Sequence, residues 1–174
     1  MKHTYSWNEH ELTTNRQLPT KPKIKLADDP ELRMQLEMTL EQLPHALVAE
    51  WALEQALAYL QYLDPPLQKD PRIPQSINVL QQRINGECSA HVLRQAGFTA
   101  NELAQESSTE LSKYAARVFA QAIASGHMRG HALVSADYGI KVMNILFPKD
   151  LLQVRQQRET QLALARHYLA SKKE

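Results

Sequence analysis

From residue 99 to residue 147 the chain keeps helical character almost without interruption, and before Tyr138 only Gly126 and Gly130 weaken it. Each glycine costs about 1 kcal/mol relative to alanine inside a helix, so a break between two helices is expected near Ser125-Gly126. No segment alternates polar and apolar residues long enough to build a sheet, and no repeat recurs at a fixed period. The sequence therefore predicts an all-α fold: a single-domain bundle of about six to seven helices with an extended N-terminal arm.

The punctuation of the chain places these helices. Asp28-Asp29-Pro30-Glu31 is a start signal, with an aspartate to cap free N–H groups and proline at the first helical position. Leu32, Leu36, Leu40 and Leu43 then form one stripe. Pro44 begins a second helix, expected to run to about Leu63, with Val48, Trp51, Ala52, Ala56 and Tyr59 on its apolar face. Residues 64–74 hold four prolines and read as a loop. A third helix is expected over 75–85, with Ile77, Leu80 and Ile84 inward and Gly86 as its stop. A short fourth helix, 87–96, is expected to end at Gly97, and Thr99 with Glu102 forms a capping box for a fifth. Pro148 ends the long helical run. Asp150 caps a last helix whose thin stripe is Leu151, Val154, Leu162, Ala165 and Leu169.

Composition narrows the functional classes. With 43% hydrophobic and 22% charged residues in 174, the chain is of ordinary globular type. Its most apolar stretch, 116–146, is interrupted by His127, Arg129, His131, Asp137 and Lys141, which argues against a membrane span. No apolar signal segment is visible near Met1. A lone cysteine, Cys88, excludes an internal disulfide and points to a reducing cytoplasm. The net charge of +1 does not suggest nucleic-acid binding. Charge is unevenly placed, however. Residues 1–27 hold five bases against two acids, whereas the rest is mildly acidic. The basic arm either folds onto its own body, the favoured reading, or touches an acidic partner.

The segment Gly126-His127-Met128-Arg129-Gly130-His131-Ala132 carries the most suggestive chemistry. On a continuous helix, His127 and His131 share a face with Ala124, Val134, Tyr138 and Ile145, and that pattern reads as a core face. Buried structural histidines are the favoured reading, beside a metal or catalytic pair and a partner-binding patch. A metalloprotease helix needs glutamate directly after the first histidine, where Met128 stands. A third metal ligand would have to come from residues such as His91 or Asp137. Gly126 and Gly130, with Ala122, form a small-residue ridge for close helix packing or for a homo-oligomer. Asp70-Pro71-Arg72 is either a loop staple or a recognition loop stiffened by proline, and staple is favoured. Cys88 with His91 lacks the electropositive setting of a thiolate nucleophile. Phosphate-binding glycine loops, nucleophile elbows and paired catalytic carboxylates are missing from the sequence.

Three of these elements occur in an order that resembles the fifth family of immunity proteins from bacterial polymorphic toxin systems. Trp51-Ala52 opens a helix ending at a proline-rich loop. Asp70-x-Arg72 leads into a helix ending at Gly86-Glu87. Ala-rich sequence then runs into His127-x-x-Gly130-His131-Ala132 and Tyr138. The resemblance covers about residues 51–138. It implies a small, all-helical, cytoplasmic protein that binds and neutralises a cognate protein toxin, with 1–27 as a basic arm and 28–174 as the helical domain. Besides Trp51, the family's polar positions map to Asp70, Arg72, His127, His131 and Tyr138. Ile73 separates Arg72 from Pro74, where the family often places proline directly after the arginine.

Two functional expectations follow. One is a binding module with no catalysis and no cofactor, whose partner is a protein toxin rather than nucleic acid or a membrane. It expects His127 and His131 to be buried and the partner-facing patch to lie elsewhere. The other is a metal-binding bundle or metal-dependent hydrolase built on His127 and His131.

Overall fold

The computed structural model describes residues 17–172. Among these the chain is all-helical, with seven α-helices and no strand: α1 Pro30–Glu41, α2 His45–Leu57, α3 Arg72–Ile84, α4 Ala90–Gln105, α5 Glu110–Ala124, α6 Gly130–Leu146 and α7 Leu151–Lys172. Successive helices α4, α5 and α6 pack as neighbours, α2 crosses α5 and α6, and α7 closes the bundle against α1.

Many of the sequence signals act as expected. Asp29 caps α1 by accepting the Leu32 N–H at 3.1 Å, with Pro30 in the first turn. Pro44 precedes α2, and Asp150 accepts the Leu152 N–H at 3.1 Å at the head of α7. Gly86 takes the positive φ of 76° that ends α3, and the Glu87 N–H returns to the Gln82 carbonyl at 2.7 Å. This 6→1 bond satisfies a carbonyl that the helix end leaves free.

Other boundaries move for tertiary reasons. The second helix stops at Leu57 rather than Leu63. The chain continues through two 3₁₀ turns, Leu60–Tyr62 and Pro65–Leu67, which still bury Tyr59, Leu63 and Leu67. The third helix begins at Arg72, earlier than expected, and tolerates Pro74 within its first turn, where the proline's missing N–H has no intrahelical role. The expected stop at Gly97 and cap at Thr99 do not occur, because α4 runs through both. Gly97 is kept as a contact surface: a Cβ built there would lie 3.7 Å from the Ala124 Cβ of α5. The real interruption lies at 106–109, where Thr109 caps α5 by accepting the Ser112 N–H. Leu151 and Leu152 are exposed, so the apolar stripe of α7 starts only at Val154.

Residues 1–16 of the expected arm lie outside the described residues. Residues 17–29 form no helix or strand and strap across the bundle. Thr20 donates from its N–H and hydroxyl to the two Glu37 carboxylate oxygens at 2.8 and 2.6 Å. The Ala27 amide exchanges two hydrogen bonds with the Asn144 side chain. These bonds tie the strap to α1 at one end and α6 at the other.

Candidate functional site

The largest concentration of polar chemistry is buried and was not foreseen from sequence. Arg158 on α7 has no solvent exposure and Asp137 on α6 has 2%. Arg158 donates to both Asp28 oxygens at 2.9 and 2.8 Å, to Asp137 at 2.7 Å and to Gln161 at 3.0 Å. Asp137 also accepts two bonds from Arg33 at 2.9 Å each, and Arg33 donates a further bond to the Thr20 carbonyl. Burial opposes the Arg158 charge, but Asp28 and Asp137 outweigh it and hold the guanidinium more firmly protonated than usual. The network joins the strap, α1, α6 and α7, and every charge in it has an opposite charge beside it. One signal in sequence could have found it. Arg158 sits between Val154 and Leu162 on the apolar stripe of α7, and a charge on such a stripe requires a buried partner.

Trp51 is fully buried, and its Nε1–H donates to the Gln161 carbonyl at 3.1 Å, which ties α2 to the same region of α7. Asp70 and Arg72 lie elsewhere. Arg72 grips Asp70 through two side-chain bonds of 2.9 and 2.8 Å and reaches both Glu106 oxygens at 2.6 and 2.8 Å. The Arg72 hydrogen bonds hold the Asp70 carboxyl down at about 2 and lower that of Glu106. The arrangement fastens the start of α3 to the end of α4.

The expected helix break near Ser125-Gly126 is present, and it changes the reading of the histidines. His127 lies in the turn between α5 and α6, while His131 is the second residue of α6. They do not share one helix, and the face assigned to them is not the core face. His127, His131, Val134, Tyr138 and Ile145 are all half-buried. The core instead receives Ala132, Ala136, Gly139, Ile140 and Met143. His131 donates from Nδ1 to Gln121 Oε1 at 2.7 Å across the α5–α6 seam. Burial, then the neighbouring charges of His127 and Lys23, lower its pKa to about 4, so its ring is neutral near pH 7. Tyr138 lies further along the same seam, its ring 5.9 Å from that of Tyr114. Gly126 is buried in the turn rather than forming a helical ridge with Gly130. A Cβ there would meet Leu80 Cδ1 at 2.6 Å, so that face is already occupied by the protein's own core.

The candidate chemical groups named from sequence are not brought together among the described residues. Among the described residues no three His, Cys, Asp or Glu side chains are placed to hold a metal. Asp137 turns to Arg33 and Arg158, and His91 is exposed on another helix. The Cys88 thiol donates weakly to the Val79 carbonyl at 3.6 Å, and burial pushes its pKa up, the opposite of nucleophile activation. A cleft of about 240 Å³ opens between the strap, α1 and α6. Leu40, Val48, Leu133 and Val134 line it, with His131, Lys21 and Lys23 also on its walls. Within it, Glu37 and Asp137 are held by the bonds to Thr20 and Arg33 described above. No helix among the described residues is long and apolar enough to cross a membrane.

Fold and site thus define an all-helical bundle whose distinctive polar groups are engaged in holding helices together. A family model for the Imm-5 like putative immunity protein matches residues 38–167, and the chain belongs to that family. No curated protein and no solved structure matches the chain.

Proposed function

We propose that this protein acts in the cytoplasm by binding a cognate protein toxin and neutralising it through protein–protein contact, with no reaction of its own. The observation that carries the reading is the family match over residues 38–167. The side-chain geometry is consistent with it. Asp70, Arg72, Asp137 and Arg158 are engaged in internal pairs, His131 is neutral and hydrogen-bonded, and the His127–His131 turn has no third metal ligand among the described residues. In this account Trp51, Asp70 and Arg72 shape the bundle, and residues 127–138 form the half-buried turn between α5 and α6 and the first half of α6.

The test is toxicity rescue. The toxin is recovered by affinity purification of the tagged protein from its native host and expressed in sensitive cells with and without this chain. Restored growth together with a stoichiometric complex is the expected result. A toxin that kills equally in both cases, or a recovered complex with no toxic component, overturns the reading.

A further inference from the structure

The outer seam of the α5–α6 hairpin carries a cationic cluster with no ion-pair partner among the described residues. Lys113, Tyr114 and Arg117 lie on α5, Tyr138 and Lys141 on α6, and all five are half-buried. The two phenol rings pack at 31° to one another. Three cations close around Tyr114, with Lys113 Nζ at 5.3 Å, Arg117 Cζ at 5.3 Å and Lys141 Nζ at 5.5 Å from the ring centre. Arg117 also lies 5.8 Å from the Tyr138 ring, so one guanidinium bridges both aromatics.

The contrast with the other arginines is informative. Arg33, Arg72 and Arg158 each hold carboxylates, whereas Lys113, Arg117 and Lys141 form no ion pair with a described carboxylate. The ring faces stabilise these cations and hold them in place, and no described carboxylate lies within ion-pair distance of them. Fixed tyrosine and arginine side chains are the residues that dominate contact energies in interfaces, and prior ordering reduces the entropy lost on docking. Adjacent unpaired cations call for carboxylates on the other side.

We propose that this seam is the docking face of the protein, and that it receives an acidic protein segment whose Asp and Glu carboxylates meet Lys113, Arg117 and Lys141 while an apolar side chain covers Tyr138. Identification of that segment as part of a toxin rests on the immunity reading; the chemistry of the surface does not. A nucleic acid fits less well, because the cations bunch around one ring rather than track a backbone.

The test uses the whole protein and has two arms. In the first, backbone amide NMR follows titration with a short glutamate-rich peptide carrying aromatic residues, and separately with a single-stranded oligonucleotide and a lysine-rich peptide. The glutamate-rich peptide is expected to shift amides around Lys113, Arg117, Tyr138 and Lys141. The double variant K113E/K141E is expected to weaken that binding by about tenfold to a hundredfold with an unchanged circular dichroism spectrum. Shifts confined to Lys21, Lys23 and Lys25, no shifts at all, or stronger binding of the oligonucleotide at the seam each overturn the proposal. R117Q, which removes charge without reversing it, serves if the double variant fails to fold, and the same loss is expected in smaller measure.

In the second arm, K113E/K141E is tested for rescue against the recovered toxin. Rescue that survives the charge reversal overturns the seam but leaves the immunity reading standing. Specific acidic-peptide binding with no toxic partner supports the seam and overturns the immunity reading.

Discussion

Replacing Asp137 by asparagine weighs the buried ion network most directly. The carboxylate accepts two bonds from Arg33 and one from Arg158, all between 2.7 and 2.9 Å, at a site with almost no solvent. Asparagine keeps the volume but removes the charge, and its amide N–H groups then face guanidinium N–H groups. Loss of one partner from a buried pair costs about 3–5 kcal/mol, because the remaining charge stays out of water. Arg158 keeps Asp28 and Arg33 keeps Glu37 at 4.0 Å, which sets the expected loss near the lower end, about 3 kcal/mol. For a chain of this length that lowers the melting temperature by about 6–12 °C. Urea unfolding followed by circular dichroism measures the first quantity and calorimetry the second. A loss below about 1 kcal/mol with an unchanged m-value refutes the reasoning, since the group then behaves like a solvated surface ion.

Two further outcomes follow from the same packing. Burial lowers the pKa of His45 and of His131 from 6.5 to about 4. Protonation therefore favours the unfolded chain, so their contribution is complete above pH 6.5 and is lost as the pH falls towards 4. Urea midpoints measured across that window are expected to fall steadily, and H131Q to flatten the slope; a midpoint independent of pH there contradicts the assignment. Gly139→Ala ought to stabilise a helix interior on propensity alone. A Cβ at this position would nevertheless stand 2.5 Å from the Tyr59 hydroxyl and 2.8 Å from the ring carbon that bears it. With Tyr59 itself buried, the variant is expected to lose about 1–3 kcal/mol, and a raised melting temperature would show that the ring yields freely.

What the sequence discloses and what it conceals have distinct physical origins. Helix type and the caps at Asp29, Gly86 and Asp150 are local, so they were readable from residue order. The extent of α4 was not, because Gly97 is retained for its contact with Ala124, a residue on another helix. Helical periodicity put His131 and Tyr138 on a common face but assigned that face to the core. These residues do share a face of α6, but periodicity within one helix does not say which face its neighbours cover, and only the packing of α5 against α6 shows this one to be a half-buried seam. The ion network joins residues 104 and 130 positions apart. Its only sequence trace is an arginine on an apolar stripe, a trace that names no partner. Lys113 and Lys141 approach Tyr114 from different helices, so the cationic seam also exists only after folding.

The most direct test of the central claim is whether this chain protects a cell from the toxin that co-purifies with it. Cells expressing the toxin alone are expected to stop growing, and cells expressing both proteins are expected to grow while yielding a stable complex of the two. Equal killing with and without this protein, at comparable expression and with the bundle folded, contradicts the account.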